Sequence, residues 1–71
     1  MATWWLSFCK DEQLLGVVIL DASDMSEAVS RAWEMNLHPG GKTEGAEMPT
    51  GMFHPEWMDR LLTKEEADAL A

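Results

Sequence analysis

Residues 13–20, QLLGVVIL, are apolar on both faces of the β-strand that they predict. A run of this kind is typical of a strand that is covered from both sides. The chain has 71 residues, and a domain of that size has barely enough apolar surface for one self-sufficient core. Both faces of this one strand must therefore be covered. Gly16 within the run indicates a bulge or the close approach of another segment.

The residues before this run predict the first strand of a hairpin. Residues 3–9, TWWLSFC, alternate as a strand does, and a polar turn at residues 10–12 joins them to the apolar run. One face of this first strand carries Trp4, Leu6 and Phe8, and the other carries Trp5, Ser7 and Cys9.

After the hairpin the apolar period changes to that of an amphipathic helix. Ser23 or Asp24 can cap the start of the helix, and residues 24–27 resemble a capping box. Pro39 ends the helix near Asn36. We expect Trp33 of this helix and Trp4 of the first strand to lie in the core. The stripe that faces the sheet consists of Met25, Ala28, Val29, Ala32 and Trp33.

Residues 42–48, KTEGAEM, predict a short edge strand after the Pro-Gly-Gly turn. A helical crossover returns this strand parallel to the second one. It pairs beside the first strand, giving the order 2-1-3, or beside the second, and we favour the order 2-1-3.

The remaining residues predict a short helical tail. Pro55 starts a helix that carries Trp57, Met58, Leu61 and Leu62, and the T-x-x-E pattern at residues 63–66 opens a final turn or two. The fold class is therefore α+β, a single small domain over residues 1–71. It has a small three-stranded sheet (ββαβ), one packed helix and a short C-terminal helical tail.

One helix cannot cover both faces of such a sheet. The uncovered face carries Trp5, Leu15, Val17 and Ile19. An exposed apolar patch of that kind is an aggregation hazard, so the tail, a second copy of the chain, or another ligand or partner must cover it. Because small domains often depend on a partner subunit, we expect a homo-oligomer.

The charge of the chain limits its partners. The formal net charge is −8, and nucleic-acid binding needs clustered Lys and Arg. The basic residues Lys10, Arg31, Lys42, Arg60 and Lys64 are scattered singly among acids, so we expect no direct nucleic-acid binding. The charge suits competition for a basic surface on another protein, or serves only solubility.

The sequence predicts neither a transmembrane segment nor a secretory signal. No stretch approaches the ~20 apolar residues that span a bilayer, and the N-terminal run lacks the basic flank and length of a secretory signal. Cys9 is the only cysteine, which fits a reducing compartment. We expect a cytoplasmic protein without membrane contact.

The turn around Gly40, Gly41 and Lys42 is the first candidate site. Backbone amides of a glycine turn and a lysine can hold an anion, but the spacing of a phosphate loop is missing and a helix precedes the turn. A plain turn is the favoured interpretation. The alternative is contact with a ligand or partner by Trp5, Ser7, His38, Gly40, Gly41 and Lys42.

The histidines and the cysteine are the candidates for metal binding and catalysis. Neither His38 nor His54 lies in a zinc-binding pair, and a nucleophilic role for Cys9 needs a base and an orienting third group. We therefore expect no metal, no cofactor and no enzyme activity.

The motifs WWLSF at residues 4–8, LGVV at residues 15–18 and PGG at residues 39–41, followed by RLL at residues 60–62, resemble a family of small proteins. That family occurs in bacteriophages, prophages and proteobacterial genomes and has no established activity. Its members usually carry Asn-Pro-Gly-Gly, where this chain has His38 before the proline. The resemblance implies a phage-related genomic setting.

Three functions fit this setting. The first is a non-catalytic binding protein that inhibits host machinery or immunity by occupying a host protein, in the host cytoplasm if the chain is phage-encoded. The second is a sponge that sequesters a small nucleotide-like signal. The third is a structural homo-oligomeric assembly module. The net charge opposes anionic ligands, which favours the first.

Overall fold

The two predicted N-terminal strands form a hairpin in the computed structural model, which describes residues 1–70. Strand β1 spans Ala2–Lys10 and strand β2 spans Gln13–Ala22, and they pair antiparallel. The two turn residues, Asp11 and Glu12, both have positive φ, at 52° and 64°. Two-residue turns of that hand match the twist of the paired strands.

A bulge interrupts the hairpin beside Gly16. Phe8 pairs with Gly16 and Cys9 pairs with Leu14, so Leu15 is an extra residue on β2. An extra residue shifts the alternation of side chains, and Leu14 takes the place beside Val17 and Ile19. The prediction that Leu15 shares their face is therefore wrong, and Leu15 is 38% exposed.

Helix α1, Met25–Glu34, begins at the predicted cap. The Asp24 carboxylate accepts from the backbone N–H of Glu27 at 2.8 Å, and the Glu27 carboxylate accepts from the N–H of Ser23 at 3.0 Å. The helix buries Ala28 and Ala32 against the sheet. These small side chains let the helix approach the strands closely.

Strand β3, Lys42–Met48, has the predicted bounds and the predicted place. It pairs antiparallel with β1 and is therefore parallel to β2. The sheet order is β3-β1-β2-β4. This confirms the order 2-1-3 for the first three strands and leaves β3 at one edge.

The segment after β3 departs from the prediction. A 3₁₀ turn at Pro55–Trp57 is followed by strand β4, Leu61–Leu62, and by helix α2, Lys64–Leu70. Because β4 pairs antiparallel with β2, the α+β sheet has four strands, and the three-stranded prediction is wrong in that detail. Leu61 and Leu62 lie in this strand and not in a helix.

Two contacts hold the segment along β2. The N–H of Asp59, whose φ of 57° is not helical, donates to the Ile19 carbonyl at 2.8 Å. Gly16 lets β4 approach, since a Cβ there would lie 2.8 Å from Leu61 Cδ1 and 2.9 Å from the Leu62 carbonyl oxygen. Pairing with the outer edge of β2 thus stabilises a strand that the local sequence alone does not favour.

The capping box predicted for the last helix is present. The N–H of Thr63 donates to the Glu66 carboxylate at 3.1 Å, and the N–H of Glu66 donates to Thr63 Oγ1 at 3.2 Å. Arg60 pairs with the same carboxylate. The hydrogen bond from the Thr63 backbone, together with Arg60, lowers the pKa of Glu66.

Each face of the sheet has its own core. The helix face, which α1 covers, buries Leu6, Phe8, Val18, Leu20, Ala22, Ala28 and Ala32. The tail face, which residues 49–70 cover, buries Val17, Ile19, Phe53, Leu62 and Ala67, with Trp5 and Leu14 packed against them. The C-terminal segment is therefore the cover that the two-sided strand requires. Homo-oligomerisation stays a prediction.

The two tryptophans expected in the core differ. Trp4 packs against the helix-face core, and its Nε1 donates to the Ala22 carbonyl at 3.2 Å. Trp33 is 56% exposed, so the prediction for it is wrong. Its ring covers His38 and not the sheet.

A substitution within β4 tests whether the C-terminal segment covers the tail face of the sheet. We expect Leu62→Ala to lower the free energy of unfolding by about 2–5 kcal/mol, because it empties a fully buried site. Leu61→Ala, next to it and 40% exposed, is the matched control and should cost clearly less. Urea unfolding followed by tryptophan fluorescence measures both. Equal losses would contradict the placement of Leu62 in the tail-face core.

Candidate functional site

The Pro-Gly-Gly turn is held by the side chain of His38. Its Nδ1 accepts a hydrogen bond from the N–H of Gly40 at 3.0 Å, and its Nε2 lies 2.9 Å from Thr43 Oγ1. An imidazole nitrogen that accepts carries no hydrogen, so the neutral ring is protonated at Nε2 and donates to Thr43. His38 therefore ties the turn to the start of β3.

The His38 ring packs against two aromatic side chains. Trp33 stacks on it with ring centroids 3.8 Å apart and planes 4° apart, and Phe8 approaches at 4.5 Å and 55°. Burial lowers the pKa of His38, because the charged form loses more hydration than the neutral one. The neutral ring is thus the form that this packing and the Gly40 hydrogen bond favour.

Gly41 is required by the packing of the turn. Its φ is +80°, and a Cβ at this position would lie 2.6 Å from the Cys9 carbonyl oxygen. Only glycine combines that backbone conformation with so close an approach to β1. The turn thus has a structural explanation, in line with its favoured interpretation.

The six residues predicted as one ligand or partner contact do not come together. Trp5 and Ser7 lie on the tail face of β1, whereas the His38 ring packs on Phe8, on the helix face. Lys42 pairs with Cys9, about 13 Å along β1 from Trp5. The glycine turn and Trp5 are therefore separate features of the molecule.

An open pocket of about 430 Å³ lies on the tail face beside β3. We call it the edge pocket, and it is lined by Trp5, Ala46, Met48, Met52, Phe53 and Leu70. Two of the lining side chains are aromatic, Trp5 and Phe53, and their ring centroids lie 5.6 Å apart with planes tilted by 40°. Met52 is 55% exposed, so one wall of the pocket is a flexible side chain open to solvent.

The lining of the edge pocket is apolar. None of its six lining residues carries an ionisable or nucleophilic side chain, which proton transfer or covalent catalysis needs. Trp5 is the lining residue that the sequence named as a candidate contact, whereas Met52 and Phe53 were not named as candidates. Their signal was an adjacent apolar pair inside an otherwise polar, turn-rich stretch.

Strand β3 adds a second feature beside the edge pocket. It is the outermost strand of the sheet, and two pocket residues, Ala46 and Met48, belong to it. The backbone hydrogen bonds that residues 1–70 make outside their helices and strands do not involve residues 42–48. The outer backbone groups of β3 are therefore open to a further strand.

Two other kinds of site have no counterpart in the part of the chain that the structure describes. Residues 1–70 contain no group of three or more His, Cys, Asp or Glu side chains placed to hold a metal ion. Nor does any helix among them have the length and apolar character needed to cross a membrane.

Comparison of the chain with protein-family models, with curated proteins and with solved structures found no match.

The lowered pKa of the half-buried His38 side chain predicts a pH dependence of stability. On acidification the unfolded chain binds a proton near the ordinary histidine pKa of about 6.5, whereas folded His38 binds it only at lower pH. The stabilising contribution of His38 is therefore complete above about pH 6.5 and is lost as the pH falls through the lowered pKa. Urea unfolding between neutral and mildly acidic pH measures this loss.

His38→Asn is the informative variant, because its side-chain oxygen can still accept from Gly40 but does not titrate. We expect this variant to lose part of the pH dependence, and the matched variant His54→Asn, at an exposed site, to retain it. An unchanged pH profile in His38→Asn would contradict the assignment.

Proposed function

We propose that the protein is a non-catalytic binding protein, which acts by occupying a surface of another protein. The observation that carries this proposal is the edge pocket, an apolar cavity that opens beside the unpaired outer edge of β3. Apolar pockets with a hydrogen-bonding edge next to them suit an apolar side chain on a peptide backbone.

The geometry favours a protein over a nucleotide-like signal. A phosphate group needs cations or clustered backbone N–H donors, and the lining of the edge pocket contains no cation. The glycine turn, which has Lys42 beside it, is separated from Trp5, so no aromatic ring of the tail face lies ready to hold a base there. The net charge of −8 also repels anions.

The sequence resemblance described above supports a host protein as the partner. A phage-related protein that blocks host machinery or immunity needs no catalysis, since occupancy alone removes the function of its target. An acidic chain of this size can reach its target quickly if the surface of that target is basic. Inhibition of a host protein by occupancy is therefore the activity that we propose.

Site-specific photo-cross-linking tests the proposal. A photoactivatable phenylalanine derivative replaces Met52, at the mouth of the edge pocket, in bacterial cells of the background that encodes the chain. We expect one discrete protein adduct, identified by mass spectrometry. The same group at Glu34, which is exposed at the end of α1, is the matched control and should not give this adduct.

A second variant links the adduct to the edge pocket. Ala46→Trp fills the pocket from an exposed position on β3, so it should remove the adduct at position 52 while thermal unfolding stays cooperative. The captured protein should lose its own activity on addition of the wild-type chain and keep it on addition of Ala46→Trp. Identical adducts at positions 52 and 34, or no protein adduct, would contradict the proposal.

A further inference from the structure

We infer that the partner binds as a basic, extended strand, which adds to the free edge of β3 and places one apolar side chain in the edge pocket. This inference rests on the proposed protein-binding function and names the chemistry of the segment that is bound. Three observations carry it: the unpaired edge, the position of the edge pocket, and the charge of β3.

The first observation is the open hydrogen-bonding edge. β3 has seven residues and pairs with β1 along its whole length, from Thr3–Met48 to Cys9–Lys42. In an antiparallel pair, alternate residues of each strand point their N–H and C=O groups away from the partner. The outward groups of β3 therefore form a regular, extended template for a further strand.

The second observation is that the edge pocket lies on the tail face of β3 and β1, directly beside this edge. Ala46 pairs with Trp5, and both line the pocket together with Met48. A strand added to β3 would carry every second side chain over the tail face. The side chain nearest Ala46 would then enter the pocket, between Trp5 and the exposed wall formed by Met52.

The third observation is charge. Glu44 and Glu47 are exposed and lie on opposite faces of β3, and neither forms an ion pair within residues 1–70. Opposite charges on neighbouring strands stabilise pairing, and like charges destabilise it. An incoming strand with Lys or Arg on both faces therefore complements this edge.

The same charges argue against a second copy of the chain on this edge. Pairing of β3 with itself would bring together two strands that each carry two glutamates against one lysine, Lys42, in chains of net charge −8. Such charges protect an edge from self-association, and they leave it free for a basic strand. The occupant that the structure favours is therefore a heterologous one.

Backbone-modified peptides test the inference. Random linear peptides displayed on yeast are selected on the immobilised protein, and the tightest one is synthesised with two N-methylated forms. One form has methyl groups on the odd-numbered amides and the other on the even-numbered amides. In an added strand only one set of amides faces β3, so one form should bind about tenfold or more weaker and the other should bind like the parent.

Charge variants supply the second readout. The selected peptides should alternate basic and apolar residues, and the double variant Glu44→Lys, Glu47→Lys should bind them about fivefold or more weaker. Glu34→Lys makes a single comparable change away from β3 and should leave the affinity within about twofold. Amide exchange of β3 should slow on binding of the parent peptide.

Each contrary outcome has a distinct meaning. Peptides whose two N-methylated forms bind equally, but whose binding is lost in Ala46→Trp, would overturn strand addition and leave the proposed pocket function standing. Selection of acidic peptides, of no peptide, or self-association that blocks β3 would also overturn the inference. The cross-linking result at position 52 decides the proposed function independently of these outcomes.

Discussion

The burial of β2 from both sides is the interaction on which the rest of the structure depends. Val18 and Leu20 pack under α1, and Val17 and Ile19 pack under the C-terminal segment. Removing either cover would expose several fully buried aliphatic side chains, each worth about 1.5–3 kcal/mol of transfer free energy. In so short a chain this is a large share of the stability, so both covers are required.

The way in which β2 is covered determines which part of the sheet stays exposed. The helix and the C-terminal segment both pack mainly over β1 and β2, and β4 closes the outer edge of β2 over two residues only. β3 receives no strand on its outer side, and the C-terminal segment leaves the edge pocket beside it. The binding surface that we propose is thus a by-product of covering one strand twice.

The parts of the fold that could be predicted are those that depend on residues close together in the sequence. The alternation in β1, the cap at Asp24 and the bounds of β3 follow from side-chain period and capping, and the structure has them. β4 could not be predicted, because two leucines form a strand only when the edge of β2 is already present. The face on which Leu15 lies could not be predicted either, because it depends on which residue of the hairpin forms the bulge. Nor could the edge pocket be predicted, because Met52 and Phe53 lie in a loop that only tertiary packing places beside Trp5.

Amide hydrogen exchange of the free protein, resolved by residue and repeated over a wide range of protein concentration, tests the central claim most directly. We expect slow exchange for the paired amides of β1 and β2, and fast exchange for alternate amides of β3 at every concentration. Slow exchange along the whole of β3, increasing with concentration, would contradict it, because the edge would then already be paired with a second copy.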